Sequence, residues 1–237
     1  MDKTREFISV VENSNNIVFF GGAGVSTESN IPDFRSPDGL YNQKYKYPPE
    51  YILSHDFFMT HTEEFFEFYR DKMLVPWAKP NVTHKKLAAL EKLGKLRCVI
   101  TQNIDGLHEM AGSKNVLNLH GTVYKNHCMK CGEAYPMEYI LESKGVPKCR
   151  CGGTIKPDVV LYGECLDEKV LEKSIIAISE AEVLIVGGTS LAVYPAAGLI
   201  DYFRGEKLIL INREMTQYDK NADLVFHESL GSLFSKL

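Results

Sequence analysis

No apolar run in this sequence approaches the roughly 20 residues needed to cross a bilayer; the longer ones, such as Val183 to Val186, end after a few residues. An apolar leader is missing as well. Met1-Asp2-Lys3-Thr4-Arg5-Glu6 is charged and opens an amphipathic helical pattern, not a secretory signal. Nor is there a basic excess: 27 Lys and Arg stand against 31 Asp and Glu, a net charge of −4. That balance excludes bulk electrostatic attraction to nucleic acid or anionic lipid. Internal repeats and low-complexity tracts are absent too. The expectation is a cytoplasmic protein with no membrane and no direct nucleic-acid partner. In that reducing setting, paired cysteines favour a metal over a disulfide.

The 237 residues suffice for one sizeable core, or one core with a smaller satellite. Short buried-strand patterns cover Ile17 to Phe20, Leu96 to Ile100, Val116 to Leu119, Asp158 to Tyr162, Val183 to Val186 and Leu208 to Ile211, with Leu224 to Phe226 as an edge strand. Helical patterns lie between them. Asn81 and Asp167 are placed to cap helices and Gly94 to end one. This alternation predicts an α/β fold with a parallel sheet. Two segments interrupt it. Pro48 to Trp77 is helical and aromatic, with Thr60 and Glu63 spaced as a capping box; about Tyr124 to Lys156 is a cysteine module. Together these insertions read as a smaller domain, residues 36–80 and 123–157. The main nucleotide-binding domain then comprises residues 1–35, 81–122 and 158–237. The cleft between the two is the natural ligand site.

Gly21-Gly22-Ala23-Gly24 follows the first strand and could bring backbone N–H groups to a pyrophosphate. The full G-x-G-x-x-G is absent, since Thr27 takes the third glycine's place, so a tight structural turn explains the segment equally well. Cys128-x-x-Cys131 and Cys149-x-Cys151 have near-zinc-ribbon spacing. Four thiolates would fill a tetrahedral zinc site and leave no place for water, making the metal structural; the alternative is four free or transiently oxidised thiols. Polar residues follow the strands: Gln102, Asn103 and Asp105 after the second, His120 after the third, Gly188, Thr189 and Ser190 after Val183 to Val186, and Asn212 after Ile211. In a parallel sheet these ends line the crevice. His120 is the best general-base candidate, its ordinary pKa lying near neutrality. The other histidines, His84 and His108 among them, have no comparable context.

Gly22-Ala23-Gly24-Val25-Ser26, Ile31-Pro32-Asp33-Phe34-Arg35, Thr101-Gln102-Asn103-Ile104-Asp105, His120-Gly121, the four cysteines, Pro157-Asp158-Val159-Val160, Tyr162-Gly163-Glu164 and Gly188-Thr189-Ser190-Leu191 occur in the order seen in sirtuins. The chain resembles a short bacterial member of that family over nearly its whole length. The resemblance implies a Rossmann-like domain with a zinc-and-helix small domain. It implies an NAD-dependent protein-lysine deacetylase with one structural zinc per chain, NAD as cosubstrate and an acetylated lysine-containing protein or peptide as partner. Nicotinamide departure would open the ribosyl carbon to the acetamide oxygen, ending in free lysine and O-acetyl-ADP-ribose.

By the same resemblance His120 is the general base and Asn103 is catalytic beside it. Ala23, Gly24, Thr27, Gly188, Thr189 and Ser190 surround the NAD phosphates, Asn212 the adenosine ribose, and Asp33, Phe34 and Arg35 form the cofactor loop. Gln102 contacts the nicotinamide ribose region, while Ile104 and Asp105 form the carboxamide pocket. Val159, Val160, Tyr162 and Gly163 on one side and Leu191 and Val193 on the other would clamp the peptide as an added strand. Asn30 replaces the family's usual Gly, and Asn tolerates left-handed backbone angles. Tyr162 stands where Phe is common. The Tyr-x-x-Arg pair of acidic-acyl sirtuins is missing, because Tyr69 and Arg70 are adjacent; uncharged acyl groups are therefore expected. Two alternatives remain: a mono-ADP-ribosyltransferase or NAD glycohydrolase on the same site, and a non-catalytic zinc-ribbon binding module.

Overall fold

The computed structural model describes residues 2–237. Helix α1 (Lys3–Asn13) is capped by Asp2, whose carboxylate accepts from Thr4 N. Strand β1 (Ile17–Gly21) follows. Helices α2 (Pro49–Ile52), α3 (His55–Thr60) and α4 (Thr62–Phe68) make the helical insertion. Helix α5 (Val82–Lys92), strand β2 (Leu96–Thr101), helix α6 (Leu107–Ala111) and strand β3 (Val116–Asn118) come next. Strands β4 (Gly121–Cys128) and β5 (Ala134–Pro136), helix α7 (Met137–Glu142) and strand β6 (Ile155–Val159) make the cysteine module. Helix α8 (Glu168–Glu180), strands β7 (Val183–Gly187), β8 (Lys207–Ile211) and β9 (Leu224–Phe226), and helix α9 (Leu230–Phe234) complete the chain.

The main sheet is parallel throughout, in the order β3-β2-β1-β7-β8-β9. Its central strands are apolar on both faces because helices cover both. Phe19, Val99, Ile185 and Ile209 pack with Phe7, Leu87 and Phe234 on one side. Val18, Phe20, Ile100 and Leu184 pack with Ile178 and Ala177 on the other. Strand order reverses between β1 and β7, whose last residues, Gly21 and Gly187, are register partners. A crevice opens at such a reversal. This is a Rossmann-like sheet, with the expected caps in place: Asn81 accepts from Thr83 N and His84 N, Asp167 accepts from Val170 N, and Gly94 is left-handed.

A second, antiparallel sheet has the order β5-β4-β6. Its inner residues, Val123, Ile155 and Val159, share one core with Phe57, Phe58, Phe65, Phe66 and Tyr69 of the helical insertion. Two local expectations change. The strand expected over Asp158 to Tyr162 lies at Ile155–Val159 and pairs with β4, because the cysteine turns set Cys128 opposite Ile155. The Thr60–Glu63 capping box does not form. Ser54 caps α3 by accepting from Phe57 N, the chain breaks at His61, and the Thr60 hydroxyl donates back to the Asp56 carbonyl. Among the described residues no helix is long and apolar enough to cross a membrane.

Candidate active site

A cavity of about 810 Å³ lies at the β1/β7 reversal and extends to the small sheet. Its floor is two interlocked turns. A Cβ on Gly24 would sit 2.7 Å from Gly188 Cα, and one on Gly22 would sit 2.7 Å from Thr189 Cβ. The glycines therefore let the two turns touch backbone to backbone. Gly24 N donates to Gly188 O at 2.8 Å and Gly22 N to Gly187 O at 3.2 Å, while Val25 N and Ser26 N bond within the first turn. Those four N–H groups are thus already paired inside the protein. Asn30 is left-handed, at φ 62°, and closes the segment as its side chain permits.

Ser26 ties this floor to the loop after β2. Its hydroxyl donates to Asp105 Oδ2 at 2.6 Å and accepts from Asn103 Nδ2 at 3.0 Å, while Leu107 N donates to Asp105 Oδ1 at 3.0 Å. Burial raises the Asp105 pKa, and the Ser26 and Leu107 hydrogen bonds oppose that shift. Gln102 Nε2 donates to Thr189 Oγ1 at 3.0 Å, joining the loops of β2 and β7.

His120 lies between β3 and β4, against Gly121. A Cβ there would overlap the Asp158 carbonyl oxygen at 1.9 Å, so Gly121 allows β4 and β6 to meet directly beside the imidazole. His120 Nδ1 is 2.9 Å from the Gln102 carbonyl. A carbonyl only accepts, so Nδ1 carries the hydrogen and Nε2 keeps its lone pair. Burial lowers the His120 pKa and the Gln102 carbonyl partly restores it. The ring is a neutral base near pH 7.

The cavity is lined by Ala23, Gly24, Thr27, Asp33, Phe34, Arg35, Gln102, Asn103, Ile104, Asp105 and His120, and by Val159, Val160, Tyr162, Gly163, Gly188, Thr189, Ser190, Val193 and Asn212. Leu191 does not line it. Its side chain is buried in the core, its backbone is left-handed at φ 54°, its N donates to Thr189 Oγ1 and its carbonyl accepts from Gln217 Nε2. Sequence reasoning gave Ser26 no role because a small residue in a glycine turn looks like a spacer. It also passed over Lys72, which lines the cavity together with Tyr69, three residues before it. Tyr69 Oη is buried without a partner in the same wall. Arg70 turns away and donates to Ile140 O, Ser143 Oγ and Gly145 O.

The Sγ atoms of Cys128, Cys131, Cys149 and Cys151 all lie within 4.8 Å of one another, and three pairs stand at 3.5 Å. A disulfide requires about 2.05 Å. Tetrahedral thiolates around zinc, at about 2.3 Å each, stand about 3.8 Å apart. The set therefore fits a four-coordinate metal, and none of its members lines the cavity. Lys130 N and Cys151 N point at Cys128 Sγ and Cys149 Sγ, as suits thiolate acceptors.

The Sir2 family profile matches residues 22–195. An NAD-dependent protein deacetylase of Clostridium acetobutylicum is 60% identical, covering 98% of this chain and 97% of its own length. One from Clostridium perfringens is 58% identical, covering 100% and 98%. Among solved structures, a Sir2 bound to acetylated peptide has a TM-score of 0.88 at 39% identity, covering 98% of this chain and 96% of its own. A Sir2–p53 peptide–NAD+ complex has a TM-score of 0.87 at 40% identity with the same coverage. The profile spans the glycine turns, His120 and the four-cysteine cluster, and the similarity runs nearly end to end: this chain belongs to the Sir2 family.

Proposed function

We propose that the protein is an NAD-dependent protein-lysine deacetylase acting on acetylated lysine in a peptide or protein. One observation carries the reading: His120 is a neutral imidazole with its hydrogen fixed on Nδ1, and its free Nε2 belongs to a cavity shared by the glycine turns and the Val159–Gly163 segment. Bound NAD would supply the ribosyl carbon that takes the acyl oxygen as nicotinamide leaves, and one water would then cleave the former amide C–N bond, giving nicotinamide, free lysine and O-acetyl-ADP-ribose.

The protein's own groups bind, orient and move a proton. His120 Nε2 accepts a proton from a ribose hydroxyl, and the Gln102 carbonyl steadies the imidazolium so formed. Asn103, held by Ser26, presents its amide toward the same space. Asp105 and Ile104 receive the carboxamide. Ala23, Gly24, Thr27, Gly188, Thr189 and Ser190 surround the phosphates, Asn212 takes the adenosine ribose, and Asp33, Phe34 and Arg35 cover the nucleotide and exclude water. Val159, Val160, Tyr162, Gly163 and Val193 bind the acylated peptide, with Leu191 acting through its backbone.

We assign one structural zinc to Cys128, Cys131, Cys149 and Cys151, with the metal holding β4 and β6 beside the cavity. We infer a reducing, cytoplasmic setting, in which these thiols stay free to bind the metal. We take residues 1–35, 81–122 and 158–237 as the nucleotide-binding unit and 36–80 with 123–157 as the smaller one; β4 and β6 run through the junctions.

Purified protein, NAD and an acetyl-lysine peptide should yield deacetylated peptide, nicotinamide and O-acetyl-ADP-ribose by mass spectrometry. His120→Ala should cut turnover by about 10²–10⁴-fold with unchanged thermal stability. Nicotinamide release that ignores the peptide would instead point to ADP-ribosyl transfer or hydrolysis.

A further inference from the structure

We propose that Tyr41 and Tyr162 are positioning residues, joined hydroxyl to hydroxyl, that lock the loop on the nucleotide half of the cavity to the strand segment on its peptide half. The names of the two halves rest on the proposed function; the lock itself rests on geometry.

Residues Asp33–Asn42 form a loop closed on itself. Leu40 N donates to Asp33 O and Tyr41 N to Phe34 O, both at 2.9 Å. Asp33 Oδ1 accepts from Ser36 N at 2.8 Å, and Asn42 Nδ2 donates to Ser36 O at 2.6 Å. The Tyr41 ring packs on Phe34, with centroids 5.4 Å apart, and lies 5.5 Å from the Arg35 guanidinium. A loop so cross-linked moves as one body, with Tyr41 as part of it. Among the described residues, one side-chain hydrogen bond leaves this loop: Tyr41 Oη to Tyr162 Oη, 2.6 Å.

Tyr162 is anchored differently. Its N donates to Leu53 O at 3.0 Å and its carbonyl accepts from His55 N at 2.9 Å, so its backbone is fixed to the helical insertion. Glu164, two residues on, is held by Leu161 N, Lys156 and His55. The hydroxyl contact thus adds a polar tether between a fixed support and a loop otherwise held by the apolar packing of Phe34 and Leu40, and both tyrosines line the cavity. A Phe at either position would keep the packing and lose the tether. A peptide that orders the Tyr162 segment would also hold the loop over the nucleotide, and the coupling must run equally in reverse.

The test compares Tyr41→Phe, Tyr162→Phe and the double variant with the parent protein. In the ligand-free protein, hydrogen exchange at the Leu40 and Tyr41 amides should quicken by about three- to tenfold in each single variant, and no further in the double. With saturating acetyl-lysine peptide, KM for NAD should rise by a similar factor in all three, while kcat changes less. Unchanged exchange, or a double variant showing the product of the single effects, overturns the lock. Exchange that shifts as expected in a protein without any NAD-dependent turnover, parent included, sustains the lock and overturns the deacetylase reading.

Discussion

Strands β1 and β7 are buried along all five of their residues, whereas β5 exposes two of its three. The main sheet closes through continuous apolar strands sandwiched between α1, α5 and α9 on one face and α8 on the other. The smaller sheet has too little strand for that. Its core takes six aromatic side chains from the helical insertion, among them Phe58, Phe65, Phe66 and Tyr69, which meet edge-on or stacked. Two of the four thiols, Cys128 and Cys149, are buried in that same cluster. Apolar burial alone can organise the first region; for the second, the zinc proposed at its four thiols would supply a cross-link. His120 stands at their junction, one residue before β4, so the proposed general base depends on both.

The strongest way to break this contrast is to remove the proposed metal site. Structural zinc binds with an apparent ~10–16 kcal/mol in zinc-finger peptides near neutral pH, more than the stability of most domains. Cys128→Ser should therefore unfold the small region while the parallel sheet persists. In the variant, hydrogen exchange should find the β4 and β6 amides unprotected before heating, while far-ultraviolet circular dichroism still records a cooperative melt of the parallel sheet. Protection of those amides equal to the parent's would show that the small sheet needs no metal.

Acid sharpens the contrast from the other side. His84 on α5 and His108 on α6 pack 4.7 Å apart under the main sheet, fully buried. Burial pushes the His84 pKa down to about 4 and that of His108 to about 3. Unfolded histidine titrates near 6.5, so below that pH the unfolded chain takes up protons that the folded one refuses. Stability from this pair is complete above about pH 6.5 and falls as pH drops toward 4, by up to ~1.4 kcal/mol per unit for each ring. Both ring nitrogens of His108 lack partners. His108→Phe should leave stability at pH 7 unchanged or higher and flatten its fall between pH 6.5 and 4.5 in urea melts. An equally steep fall would locate the acid sensitivity elsewhere.

These histidines mark where sequence reading stops. Runs such as Val183 to Val186 announce buried strands because both faces are covered, and Asn81 and Asp167 announce helix starts because capping is local. The polar residues after the strand ends converge because parallel topology brings those ends to one edge. A lone histidine carries no mark of burial, and neither His84 nor His108 stands out until α5 packs on α6. The Tyr41–Tyr162 contact spans 121 positions and has no local pattern at all. Thr60 and Glu63 have capping spacing, yet Ser54 begins the helix earlier and His61 breaks it. Ser26 acquires its meaning only when the loop after β2 brings Asp105 and Asn103 to it.

The smallest expected effect concerns the wall that the aromatic region gives to the cavity. Lys72 stands there with Tyr69, a cation three residues from a tyrosine; the arginines of the cavity, Arg35 and Arg213, come from other segments. Its charge is not free: Nζ lies 3.0 Å from Asp71 Oδ2, and that contact raises the Lys72 pKa. The wall so offers an acyl group little net charge, and acetyl-lysine should be preferred to succinyl-lysine. Asp71 is 69% exposed, so solvent screens the pair. Asp71→Asn should accordingly narrow the acetyl-to-succinyl ratio of kcat/KM by only about two- to fivefold, the scale of an exposed ion pair. A ratio already favouring succinyl-lysine in the parent protein would mean that Lys72 turns from Asp71 to the substrate. The polar wall of the small region would then select the acyl group, and not merely shape the channel it enters.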